Sequence, residues 1–110
     1  MKSFNILLVL AFFGCANSST WKFTVPPSTL VVTEQDVVQK KKPILYVIHD
    51  NDGQWRFLAE ATMRLDPAVE ISLRDLIAVD SSLVDVAYLK KGWTAWRATK
   101  GSAWNSEMYK

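Results

Sequence analysis

The chain has 110 residues, 49% of them hydrophobic and 22% charged, with four Gly and four Pro, which excludes a disordered or fibrous polypeptide and sets one small domain as the upper bound. Thirteen Lys and Arg against eleven Asp and Glu leave a net charge of +2, without the excess that phosphate neutralisation by a nucleic-acid-binding surface needs, so no nucleic-acid partner is expected. A single Cys and a single His exclude a disulfide framework and a zinc site built from those residues alone, and no cofactor is expected.

Met1-Lys2 supplies one positive charge, and the apolar run from Ile6 to Phe13 has the length of a signal-peptide core. It falls short of the ~20 residues a bilayer-spanning helix requires. Residues 1–14 are therefore read as an export signal. Phe12-Phe13-Gly14-Cys15 resembles the lipobox of bacterial lipoproteins, although Phe12 stands where an aliphatic residue is usual. The resemblance implies that Cys15 is lipidated, becomes the mature N-terminus and holds residues 15–29 as a tether, with the domain proper at 30–110. The implied location is the cell envelope, at the outer membrane if the host has one. Two other readings stay open: cleavage after Ala16, giving a secreted or periplasmic chain, and an uncleaved apolar strand. Asn17-Ser18-Ser19 matches a glycosylation sequon, but a lipobox implies a bacterium.

Trp21 to Val25 alternates apolar and polar before Pro26-Pro27, the pattern of an edge strand or an extended tether. Leu30-Val31-Val32 is a short β-prone run. Thr33-Glu34-Gln35-Asp36 then reads as a helix start, the helix continuing to about Lys42 and stopping before Pro43. Lys40-Lys41-Lys42 would lie at the negative end of its dipole, with a basic binding patch as the alternative. Ile44–Asp50 and Gln54–Ala59 form a β-hairpin turning at Asn51-Asp52-Gly53, since Gly accepts the positive φ of such a turn. Two-residue and four-residue turns both place Ile44, Tyr46, Ile48, Trp55, Phe57 and Ala59 on the core face and His49, Gln54 and Arg56 on the other.

Asp66-Pro67 marks a turn, and Val69-Glu70-Ile71 a short strand. Ser72-Leu73-Arg74-Asp75 resembles a capping box opening a helix through about Val79 that buries Leu73, Leu76 and Ile77. Asp80-Ser81-Ser82 starts a second helical stretch with Leu83, Val86, Ala87 and Leu89 inside, ending at Gly92. Trp93 to Thr99 returns to strand periodicity, with Trp93, Ala95 and Arg97 facing one way and Thr94, Trp96 and Ala98 the other. The tail after Gly101 frays unless Trp104 docks. The expected fold is α+β: an antiparallel sheet of four or five strands with two or three short helices on one face.

His49-Asp50-Asn51-Asp52-Gly53-Gln54-Trp55-Arg56-Phe57, followed by Asp80-Ser81-Ser82-Leu83 and Gly92-Trp93-Thr94-Ala95-Trp96-Arg97, resembles a group of small bacterial proteins. That group carries an H-D-x-D-G-x-W-x-F hairpin, a D-x-S-L segment and a terminal G-W-x-A-W-R strand. The match runs from about Val31 to Trp104. Arg56 stands where Gln is common, Ser81 where Pro is common, and Lys90-Lys91 where a Pro-containing turn is common. The group is distantly similar to a domain of unknown function grouped with immunity proteins of bacterial toxin systems. An exported immunity protein must meet its toxin outside the cytoplasm.

His49, Asp50 and Asp52 are the one cluster of catalytic residue types, suited to general-base work or to metal binding through nitrogen and oxygen. The same residues also suit a tight turn stabilised by local hydrogen bonds. A calcium-loop reading fails, because Asp52-Gly53 at positions five and six would put Ile48 and Ala59 at the first and last ligand positions. No G-x-S-x-G occurs. Five Trp invite a binding role. Trp55 and Trp96 are expected in the core, while Trp21 and Trp104 lie outside regular elements and are candidates for contact with a partner. The expectation is a non-catalytic envelope lipoprotein or binding module, attached to the membrane by its lipid, engaging a protein partner through residues among His49, Asp50, Asp52, Arg56, Trp21 and Trp104. The alternative is a small hydrolase or metal-dependent enzyme centred on His49, Asp50 and Asp52, and a third reading is a structural lipoprotein with no ligand.

Overall fold

A computed structural model describes residues 21–61 and 67–109. The signal, Cys15 and Asp66 lie outside the described residues. The chain forms β1 (Leu30–Glu34), α1 (Gln35–Val38), β2 (Tyr46–His49), β3 (Trp55–Leu58), β4 (Ala68–Ser72), α2 (Leu73–Val79), a 3-10 helix (Ser81–Val86), β5 (Trp93–Trp96) and β6 (Asn105–Met108). The fold is α+β, with one sheet of order β4-β1-β3-β2-β5-β6. It has six strands, not four or five, and it is mixed, because β1 runs parallel to β3 while the other neighbours are antiparallel.

The parallel pair arises because β1 does not pair with the next strand in sequence. The chain leaves β1 through α1, lays down β2, and returns as β3 between them. Thr33 fixes the register: its hydroxyl donates to the Phe57 carbonyl at 2.6 Å, opposite which it lies in the ladder. This hydroxyl is therefore not the cap of α1. Glu34 occupies the N-cap position without a side-chain cap bond, and its carboxylate instead accepts from the Ala59 N–H at 2.9 Å.

The helix expected to reach Lys42 ends at Val38. Gln39 is its C-cap and Lys40 takes φ 62°; the Lys40 N–H bonds to the Val37 carbonyl and the Lys41 N–H to the Asp36 carbonyl, the paired bonds of a Schellman stop. α2 follows its sequence signals closely. The Ser72 hydroxyl accepts from the Asp75 N–H at 3.1 Å, Leu73 and Leu76 are buried, and Ile77 packs partly against them. The 3-10 helix is capped by Asp80, whose Oδ1 accepts from the Ser82 N–H, and it buries Leu83 and Val86.

One hydrophobic core lies between the sheet and the helices. Val31, Val47, Trp55, Phe57 and Ala95 supply the sheet side; Val37, Leu73, Leu76, Leu83 and Val86 supply the helix side. Full burial of each of the Val, Leu and Phe side chains among them contributes about 1.5–3 kcal/mol. Phe23 joins this core at 5% exposure, so the segment expected as an edge strand or tether is irregular and packs its central aromatic inside.

The hairpin register corrects the face assignment. Asp50 N–H bonds to the Gln54 carbonyl and Gly53 N–H to the Asp50 carbonyl, closing a three-residue loop at Asn51-Asp52-Gly53 with Gly53 at φ 95°. An odd loop shifts the pairing by one residue relative to either even loop. His49 therefore faces Trp55 and Val47 faces Phe57, while Tyr46 and Ile48 stand on the opposite side with Arg56 and Leu58. The sequence-based core set is correct for Ile44, Trp55, Phe57 and Ala59; Tyr46 and Ile48 stand on the other face, where Ile48 is still buried.

Candidate functional site

The hairpin carries His49, Asp50 and Asp52, and its odd loop sends their side chains in three directions. His49 is 7% exposed on the core face, its ring stacked on Trp55 with centroids 3.9 Å apart and planes inclined by 15°. Its Nδ1 lies 2.7 Å from the Leu89 carbonyl. A carbonyl only accepts, so Nδ1 carries the proton and donates it. Asp50, one residue on, falls on the face of Ile48 and Arg56. Its Oδ2 accepts from Arg56 Nε at 2.9 Å and from a terminal guanidinium nitrogen at 2.8 Å. Asp52 stays at the exposed tip, where its Oδ1 accepts from the Gln54 N–H at 2.9 Å. Each of these bonds stabilises the turn or anchors it to a neighbouring segment. The three groups do not converge on one point where a reacting atom could sit.

A second polar cluster, which sequence reasoning did not assemble, holds the domain together beneath the 3-10 helix. Arg97 is 4% exposed, and its guanidinium donates in five bonds. Nε and one terminal nitrogen reach the Ile44 carbonyl at 3.0 and 2.9 Å; that terminal nitrogen also meets Asp80 Oδ2 at 2.9 Å; the other reaches Ser82 Oγ at 2.8 Å and the Lys100 carbonyl at 2.7 Å. Asp80 is 5% exposed and uses Oδ1 on the Ser82 N–H and hydroxyl. The Asp80-Ser81-Ser82-Leu83 and Gly92-to-Arg97 segments, separate in sequence, are thus clamped to each other. The available signal was an Arg on the inward phase of a strand, which demands a buried carboxylate.

The tryptophans divide differently from expectation. Trp55 is core at 2% exposure, but Trp96 is half-buried on the face opposite the helices, paired beside Tyr46. Trp21 is held inward, its Nε1–H donating to the Val25 carbonyl at 2.9 Å and its ring 5.9 Å from Phe23. Trp104 packs partly against the core, with the Arg97 guanidinium 4.2 Å above its ring. Docked in this way, Trp104 brings the tail back to pair as β6. Large exposed apolar side chains lie elsewhere, at Leu30, Tyr88, Met108 and Tyr109: Tyr88 is 62% exposed and lines a cavity of about 210 Å³ with Leu89, Trp93 and Ser106, and Met108, opposite Trp93 on β6, is 63% exposed. Tyr88 falls outside the apolar set Leu83, Val86, Ala87 and Leu89 of its helical pattern, the one clue that it points outward.

Comparison with known protein families, with curated proteins and with solved structures finds no match in any of the three.

Proposed function

We propose that this protein is a non-catalytic binding module of the cell envelope, held to the membrane through a lipidated Cys15 and immunity-like in acting by engaging a protein partner. The observation that carries the reading is the divergence of His49, Asp50 and Asp52, whose hydrogen bonds go to Leu89, Arg56 and Gln54. Anchoring through Cys15 accords with the short apolar run before it. The partner surface is the strip formed by Tyr88, Trp93 and Met108, with Met108 opposite Trp93 on β6, an edge strand in the sheet order. An edge strand offers unpaired backbone groups, and exposed aromatic and thioether side chains supply apolar contact beside them.

The test is cross-linking of the full chain in its host, followed by recovery under denaturing conditions. The wild type is expected to retain one defined envelope protein, and a Tyr88→Ala/Met108→Lys variant to lose it. Recovery of no protein, or equal recovery by the variant, overturns the binding reading. Mass spectrometry of the same sample reads Cys15; an unmodified cysteine behind a retained signal overturns the anchor.

A further inference from the structure

Four of the thirteen basic residues line one opening. Lys40, Lys41 and Lys42 come from the turn after α1, and Lys100 from the β5–β6 connection; Pro43 and Val79 give apolar surface to a cavity of about 300 Å³, over the buried Val37 and Ile44. Asp80 also borders it, but its charge is already compensated by Arg97 at 2.9 Å, and its oxygens are occupied by Ser82 as well. With Lys42 paired to Asp36, the ammonium groups of Lys40, Lys41 and Lys100 leave the opening net positive in a chain whose net charge is only +2.

Helix-end electrostatics do not account for these lysines. α1 has four residues, too few to build a substantial dipole, and it closes before Lys40. Lys42 meets Asp36 at 3.7 Å across a partly exposed pair, a contact of small energetic weight. Lys40, Lys41 and Lys100 have no carboxylate partner among the described residues. Lys40 also occupies the left-handed position of the Schellman stop at φ 62°, where Gly is the residue without steric cost. A lysine at a position that favours glycine puts a charge at the rim at the expense of backbone strain. The Lys100 end of the rim is fixed as well, since the Lys100 carbonyl accepts from the buried Arg97.

We propose that this cavity is a binding site for a phosphate group, carried either by a free phosphate ester or by an anionic phospholipid headgroup. Ammonium groups arriving from two separate segments suit a tetrahedral phosphate anion, mono- or diester, which offers acceptor oxygens in several directions. The apolar lining accommodates the carbon portion attached to it. This site is separate from the Tyr88–Met108 strip, so either can fail without the other.

The experiment is an NMR titration of the isotopically labelled full chain at constant ionic strength. The probes are inorganic phosphate, soluble dihexanoyl-phosphatidylglycerol, and dihexanoyl-phosphatidylcholine as the control for acyl chains. Saturable shifts are expected at the Lys40, Lys41, Lys42 and Lys100 amides. Saturation by phosphate identifies a free phosphate as sufficient; saturation by the glycerol lipid alone identifies the headgroup; either supports the site. A Lys41→Ala/Lys100→Ala variant should bind at least about tenfold more weakly, the loss of one to two charge-assisted hydrogen bonds. Lys40→Gly separates binding from folding: it should unfold at the same or a higher temperature while binding more weakly. No saturable shift with phosphate or the glycerol lipid, unchanged affinity in the variants, or an equal response to phosphatidylcholine overturns the proposal.

Discussion

Arg97 shows how one side chain can be both costly and indispensable. Burying a guanidinium beside a carboxylate forfeits hydration on both, and the attraction repays it only when the remaining donors and acceptors are satisfied. Here they are, with Ile44, Ser82, Lys100 and Asp80 receiving its bonds and Trp104 covering its face. Removing it strands Asp80 at 5% exposure and leaves the Ile44 carbonyl without its two guanidinium donors. Arg97→Met is therefore expected to cost about 3–5 kcal/mol, read as a lower urea midpoint at unchanged slope. Arg97→Lys should recover only a minor part of that loss, because one ammonium cannot span the same set of acceptors. Equal stability of Arg97→Met and the wild type would show that the clamp contributes nothing. The residue types of this clamp were legible in the sequence, but their meeting was not, since nothing local links Asp80 to a position seventeen residues away.

At the scale of elements, signals that act within one turn of chain were readable. Ser72 caps α2 as its spacing to Asp75 requires, and Asp80 caps the 3-10 helix. Signals that depend on counting across a turn were not. Asn51-Asp52-Gly53 supports loops of two, three or four residues, and only the odd one turns His49 inward; the sequence carries no other marker of that parity. The end of α1 was misjudged for a related reason, since Lys at a left-handed C′ position gives no warning that the helix stops there. Gly92 shows the opposite case, where the residue type is demanded twice. It holds φ 83°, donates to the His49 carbonyl at 2.6 Å, and a Cβ placed on it would lie 2.6 Å from Asn51 Oδ1. Gly92→Ala is expected to lose about 1–3 kcal/mol through the left-handed conformation and the displaced hairpin tip. Gly101→Ala, which meets nothing within 4 Å, is the control and should change the urea midpoint little. Similar stability of the two variants would remove the conformational argument.

For the whole molecule, the sharpest consequence concerns where the packed domain begins. Read from periodicity alone, residues 21–25 belong with the tether, because Pro26-Pro27 interrupts any ladder they could join. Their contribution is instead made by burial without secondary structure, which has no period to detect. Phe23 lies edge-on to Trp55 at 5.3 Å, and Trp55 in turn stacks on Phe57 at 5.7 Å and on His49, so the N-terminal segment is wired into the aromatic centre of the sheet. The segment is then held further along: Pro26 and Pro27 accept from Thr29 and Arg74, and Thr29 accepts from Leu73 at the start of α2. A lipid on Cys15 would thus be joined to the packed domain through only residues 16–20, a reach of roughly 20 Å at full extension. Phe23→Ala should cost about 3–5 kcal/mol, the range for truncating a buried Phe. That is a large fraction of the stability of a domain this small, so unfolding should begin at low urea and the change in Trp fluorescence should move with it. Leu30→Ala removes a side chain that is 59% exposed in the adjoining strand and should shift the midpoint far less. If Phe23→Ala behaved like Leu30→Ala, residues 21–25 would contribute nothing to the packed domain, which would then begin at β1.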